Sequence, residues 1–216
     1  MIYVKSSCNS EKVGQCFMPS AAKSAESTHT HKRFPERLGF LLYNPIRRRF
    51  SPPTQLLSRL GVRDDDVVVD FGCGPGFYTI PLARIAARTI GIDISAGMLQ
   101  RLRENCEKNA VRVELMQSDG RSINLGEDSI DLILLVHVFH EIGQKAEVLS
   151  EFSRILKVSG RLAIVERTKS GGFLAGKFGP PVIDQATVVN SIAGGGFRLI
   201  ELVCDGQDSV IIAGKI

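Results

Sequence analysis

The run Asp70-Phe71-Gly72-Cys73-Gly74-Pro75-Gly76 sets three glycines at alternate positions directly behind a carboxylate. Glycines let a backbone turn sharply and approach a ligand closely. Lying between an apolar strand and a helix, this loop has the context that nucleotide binding requires. Two features narrow the ligand. The dinucleotide fingerprint G-x-G-x-x-G/A needs a small residue at position 77, where this chain has Phe77, a bulk that obstructs the close helix packing of a pyrophosphate site. Asp70 would repel a pyrophosphate and suits instead a ligand carrying an ammonium and a sulfonium. No Lys-Ser or Lys-Thr follows the glycines, so the Walker pattern is missing as well.

Other polar groups fall at the same kind of place. Asp93 ends the second apolar strand, where a carboxylate can accept two hydrogen bonds from a ribose diol. Asp119, with Gly120 beside it, follows the third strand and can accept from an exocyclic adenine amine. Each aspartate alone could be a turn residue or a helix cap. Together with the glycine loop they converge on one edge of a sheet. His137-Val138-Phe139-His140-Glu141 follows the fourth strand, where a substrate would approach. His140 or Glu141 could act as a base or orient a substrate group. The alternative is that His140 closes the strand end and Glu141 is solvated.

The elements that must position these groups are legible from hydrophobic patterning. Val67, Val68, Val69 and Phe71 form a continuous apolar run, the mark of a strand buried on both faces. Further strands are expected at 89–94, 111–116, 130–138 and 161–165. Between them lie helices at 77–87, 98–109 and 144–158, the last closed by Gly160. An earlier helix at 53–60 ends at Gly61. Strands alternating with helices imply a doubly wound parallel sheet with right-handed crossovers. After a Gly-rich stretch at 171–179 and a helix at 183–192, two strands at 197–204 and 209–214 are separated by hairpin spacing. The expected fold is α/β, a seven-stranded, mostly parallel sheet ending in an antiparallel hairpin.

On these residues the chain resembles the class I, Rossmann-like, S-adenosylmethionine-dependent methyltransferases, and within them the small type 11 group. The run 67–76 is similar to the family's first motif. Ile90-Gly91-Ile92-Asp93-Ile94-Ser95 with Met98-Leu99 is similar to its second-strand motif. Segments 131–141, 149–160 and 161–166 resemble its fourth- and fifth-strand region, and the likeness covers about 54–216. The resemblance implies that Asp70, Gly72, Cys73 and Gly74 line the methionine part of S-adenosylmethionine. It likewise implies Asp93 and Ile94 at the ribose, Asp119 and Gly120 at the adenine, and Val136 and His137 beneath the cofactor. It implies the Rossmann-like fold with its C-terminal hairpin, and S-adenosylhomocysteine as product. Methyl transfer from a sulfonium is an in-line displacement in which the protein mainly positions the nucleophile and desolvates the site. The Asp/Asn-Pro-Pro-aromatic motif of base-modifying amino-methyltransferases is replaced here by His137-Val138-Phe139-His140. Cys73 and Cys106 do not form the cysteine arrangement of arsenite methyltransferases.

The 216 residues suffice for one α/β domain and little more, with 44% hydrophobic and 23% charged residues. We expect a flexible segment at 1–33 and a methyltransferase domain at 34–216, whose helices at 34–60 pack on the body or cover the cofactor. Phe34 and Tyr43 are candidate lid residues. The net charge is +4, with Lys32, Arg33, Arg37, Arg47, Arg48 and Arg49 crowding one segment. That segment is a solvated face or a contact for an anionic partner. Cys8, Cys16, His29 and His31 lack the spacing of a structural zinc site, so no metal is expected. Five widely spaced cysteines suit a reducing compartment, and neither a secretory h-region nor a bilayer-length apolar run is present. The expected protein is cytoplasmic and methylates a small molecule, with no membrane partner. An RNA or protein methyltransferase using 32–49 and a non-catalytic S-adenosylmethionine-binding protein are the alternatives. A nicotinamide-dependent dehydrogenase is disfavoured by Asp70 and Phe77.

Overall fold

In the computed structural model, which describes residues 3–5, 53–168 and 181–216, the elements run in a regular alternation. They are β1 (Tyr3–Lys5), α1 (Pro53–Arg59), β2 (Val67–Phe71), α2 (Thr79–Leu82), β3 (Arg88–Asp93), α3 (Ala96–Asn109) and β4 (Glu114–Gln117). Then come β5 (Ile130–Val136), a 3-10 turn (Phe139–Glu141), α4 (Lys145–Ile155), β6 (Leu156–Arg167), α5 (Gln185–Gly194), β7 (Phe197–Asp205) and β8 (Asp208–Lys215). The strands form one sheet in the order β1-β7-β8-β6-β5-β2-β3-β4. Every pairing is parallel except the two that β8 makes, with β6 and β7.

Seven of these strands are the ones expected from the sequence. The antiparallel ending follows from the turn between β7 and β8. Only Gly206 and Gln207 separate the paired residues Asp205 and Asp208, and Gly206 has φ 62°, the left-handed value that two-residue hairpins need. The eighth strand, Tyr3–Lys5, falls in the segment expected to lack regular structure and pairs in parallel with β7 at the sheet edge. The rest of 1–52 lies outside the described residues. With it lie the expected lid helices at 34–50, the arginines of 32–49 and the candidate metal ligands, and the Gly-rich stretch at 171–179 is outside as well.

Both faces of the sheet are covered. Val69, Ile133 and Leu135 join Val148, Leu149 and Phe152 of α4 and Val188 and Ile192 of α5 in one apolar layer. Their alternating neighbours Val68, Leu132 and Leu134 pack with Leu57 of α1 and Leu82 of α2 on the other. This double burial is why the strands read as unbroken apolar runs. Among the described residues no helix is long and apolar enough to cross a membrane.

Two helices depart from expectation. The segment expected as a helix at 77–87 is helical only over Thr79–Leu82. The amides of Arg84 and Ile85 bond carbonyls three residues back, at Pro81 and Leu82, tightening the chain so that it enters β3 at Arg88. α4 stops at Ile155 instead of continuing to 158, and Gly160 lies inside β6 and does not close the helix. Residues 157–160 bulge between the pairings Ile130↔Leu156 and Leu132↔Arg161. Lys157 in the bulge donates to both oxygens of Asp131 at 2.8 Å, and Asp131 also accepts from the Val67 amide at 2.9 Å. The carboxylate that interrupts the apolar run of β5 is thus satisfied where it is buried. Of the cysteines, Cys73 and Cys106 are free and buried, whereas Cys204 is disulfide-bonded.

Candidate cofactor and acceptor site

β2 and β5 are neighbours, and the chain winds away from them in opposite directions, to β3 and β4 on one side and to β6 on the other. The crevice at the carboxyl ends of such a pair is where open α/β sheets bind ligands. The loops leaving β2 and β5 meet there. Gly72 has φ 71°, and a Cβ on it would lie 2.4 Å from Cγ2 of Val138, so the glycine loop rests directly on the segment that follows β5. The amides of Gly72 and Cys73 donate to the Ile92 carbonyl at 2.8 and 3.0 Å, anchoring the loop to β3. Gly74 has φ 51°, and among the described residues nothing lies within 4 Å of where its Cβ would be. Its backbone is bare toward that space, as a cradle for a ligand requires.

Asp93 ties this loop down. Its Oδ2 accepts from the Gly74 amide and its Oδ1 from the Ser95 amide, each at 2.9 Å. Ser95 then caps α3 by accepting from the Met98 amide at 3.1 Å. The neighbouring Ile94 is 42% exposed, an apolar surface beside the carboxylate.

Asp70 is buried within β2, and the Thr79 hydroxyl donates to its Oδ2 at 2.5 Å. Burial pushes its carboxyl up to about 7. The Thr79 bond opposes that rise and the charge of Asp93 adds to it. Cys73 projects into the apolar cluster of Ile80, Leu99, Leu102 and Cys106, where burial drives its thiol well above the ordinary range. Only the backbone of Cys73 is left to serve the loop. Asp119 turns to Arg121, whose amide and guanidinium Nε donate to it at 3.1 and 2.8 Å and hold its carboxyl below the usual range. Gly120 packs on Phe71, where a Cβ would come within 2.7 Å of the ring.

Past β5, Val136 is half-buried and His137 takes φ 56° in the left-handed region, with its amide bonded to the Val165 carbonyl at 2.9 Å. His137 Nε2 lies 3.4 Å from Asp208 Oδ2, and its buried Nδ1 has no hydrogen-bond partner among the described residues. His140 is buried. Glu166 Oε2 lies 2.9 Å from its Nδ1, and Glu166 Oε1 accepts from its backbone amide at 3.2 Å. Glu141 Oε1 lies 3.8 Å from His140 Nε2. Sequence reasoning did not single out Thr79, Glu166 or Asp208. Glu166 carries the signal that found Asp70 and Asp93, an acid at the carboxyl end of a buried strand.

The crossed sheet, the glycine loop and the acid closing β3 are arranged as in class I, Rossmann-like methyltransferases, and the comparisons with known proteins point the same way. Residues 69–164 match the family described as a methyltransferase domain. A demethylmenaquinone methyltransferase of Tropheryma whipplei is 33% identical over 117 residues, covering 54% of this chain and 48% of that protein. A ubiquinone biosynthesis O-methyltransferase of Rhodopseudomonas palustris is 25% identical over 134 residues, covering 62% of this chain and 51% of that one. The chain thus spans about half the length of these relatives. A crystal structure of an S-adenosylmethionine-dependent methyltransferase from Aquifex aeolicus matches with a TM-score of 0.78 and 25% identity, covering 85% of this chain and all of that one.

Proposed function

We propose that this chain transfers a methyl group from S-adenosylmethionine to a small-molecule acceptor. The observation that carries the reading is the Asp93 carboxylate bridging Gly74 and Ser95 at the crevice beside the bare Gly74 backbone. In this reading Asp93 and Ile94 hold the ribose, and Asp119 and Gly120 meet the adenine. Gly72, Gly74 and the Cys73 backbone line the methionine part, with Asp70 beneath it near the ammonium. Val136 and His137 form the floor after β5, and His140 with Glu141 faces the acceptor. The cofactor brings a methyl carbon on a positively charged sulfur, which leaves as a neutral thioether. The chain's own contribution is to align the acceptor, exclude water and remove a proton where the acceptor has one to lose. Support for a small acceptor comes from the quinone-modifying relatives named above.

The test is calorimetric titration of the full chain with S-adenosylmethionine, S-adenosylhomocysteine and NAD. Binding of the first two at about micromolar Kd without binding of NAD is the expected result. Binding of NAD alone would overturn it.

A further inference from the structure

Glu166 is wholly buried, and both its oxygens are spent on one residue, His140. An ionised carboxylate can only accept hydrogen bonds, so against Glu166 the His140 Nδ1 is the donor, and Nε2 is the ring nitrogen in place to take a proton. An Asp or Glu on one ring nitrogen fixing the basicity of the other is the arrangement by which a histidine takes protons from hydroxyls. His140 also lies two residues beyond Val138, the side chain that the glycine loop touches at Gly72. Among the described residues, the charged groups that face the pair include Glu141 in the same turn, 3.8 Å from Nε2, and Lys145 at the start of α4. Lys145 donates to the Ile142 carbonyl at 2.5 Å and stands 5.4 Å above the Phe139 ring.

We infer that His140 is the proton acceptor of the reaction, that Glu166 is its positioning residue, and that the methyl acceptor carries an ionisable hydroxyl, a phenol or an enol. This rests on the methyl-transfer reading above. The hydroxyl O–H bond breaks, its electron pair stays on the acceptor, and the proton joins Nε2 to give an imidazolium paired with the Glu166 carboxylate. The methyl carbon then bonds to the oxygen, or to the ring carbon conjugated with it, while the former carbon–sulfur pair remains on sulfur. Glu141 is thereby assigned to the mouth of the site and not to the proton transfer.

The experiment uses the full chain and its Glu166→Gln variant. In the histidine nitrogen NMR spectrum, His140 of the parent chain is expected as the Nδ1–H tautomer. Glu166→Gln is expected to lose that preference while keeping its calorimetric affinity for S-adenosylmethionine. Labelled-methyl transfer is measured with catechol and with 4-nitrocatechol, whose hydroxyl is ionised far more readily. The variant is expected to lose about a hundredfold in kcat toward catechol, the scale of general-base catalysis, and much less toward 4-nitrocatechol. If Glu166→Gln does not fold, His140→Asn keeps a donor to Glu166 near the Nδ1 position, removes only Nε2, and is expected to show the same split. An Nε2–H tautomer in the parent chain, equal losses on both catechols, or transfer only to amines or thiols would overturn the inference while leaving methyl transfer standing. Absence of S-adenosylmethionine binding would instead remove the reading on which it rests.

Discussion

The carboxylate of Asp93 and the amide of Gly74 lie 2.9 Å apart, joining the end of β3 to the loop that leaves β2. On the proposed reading, a ligand seated on the loop would depend on this side chain twice, for its own contacts and for the shape of the backbone beneath it. Asp93→Ala is expected to weaken S-adenosylmethionine binding by about 1–3 kcal/mol, the scale of a lost charge-assisted hydrogen bond. Calorimetry on the folded variant checks this, and unchanged affinity would remove Asp93 from the site.

Gly72 is constrained in two separable ways, by its φ of 71° and by the Val138 methyl 2.4 Å from where a Cβ would stand. Gly72→Ala is expected to cost about 2–4 kcal/mol, part from the left-handed backbone and part from overpacking. The second part is shared with Val138. In urea unfolding of the two single variants and the double variant, Val138→Ala should cost less in the presence of Gly72→Ala than alone. Strict additivity would show that the two loops do not press on each other.

Asp70 gives stability a pH dependence of its own. Its carboxyl is pushed up to about 7 in the folded chain, while an unfolded aspartate titrates near 3.9. Between these values the folded state holds a proton that the unfolded state has released, so stability from this group falls as pH rises from about 4 to about 7. Asp70→Asn removes that dependence. Relative to Asp70→Asn, the parent chain should lose up to about 4 kcal/mol between pH 4 and pH 7.5 in denaturant titrations. A difference that does not vary with pH would mean that Asp70 is ionised in the fold throughout.

The sequence made the sheet legible because double burial writes strands such as Val67–Phe71 and Ile130–Val136 as unbroken apolar runs. It also disclosed the glycine loop and the acids near the carboxyl ends of β2, β3 and β4, whose signal is their place at strand ends. Helix ends were less legible. Gly160 looks like a helix stop, but a bulge that delivers Lys157 to Asp131 takes it into β6, and this depends on a partner far along the chain. Side-chain direction was hidden for the same reason. Nothing local says that Cys73 turns into the apolar cluster or that Asp119 closes on Arg121. The His140–Glu166 pair joins residues on different elements through the crossover between β5 and β6, a relationship that one-dimensional spacing does not encode.

The place of β8 between β6 and β7 bears on how the polypeptide matures as it leaves the ribosome. β6 and β7 are both made before the strand that joins them, so until Lys215 has emerged β6 has an open edge and β7 has no partner except β1. The exposed edge of β6 during that interval carries Leu162, Ala163, Ile164 and Val165, an apolar run suited to pairing with strands of other nascent chains. In the folded chain β8 covers that edge, and the hairpin turn at Gly206 is what brings it there.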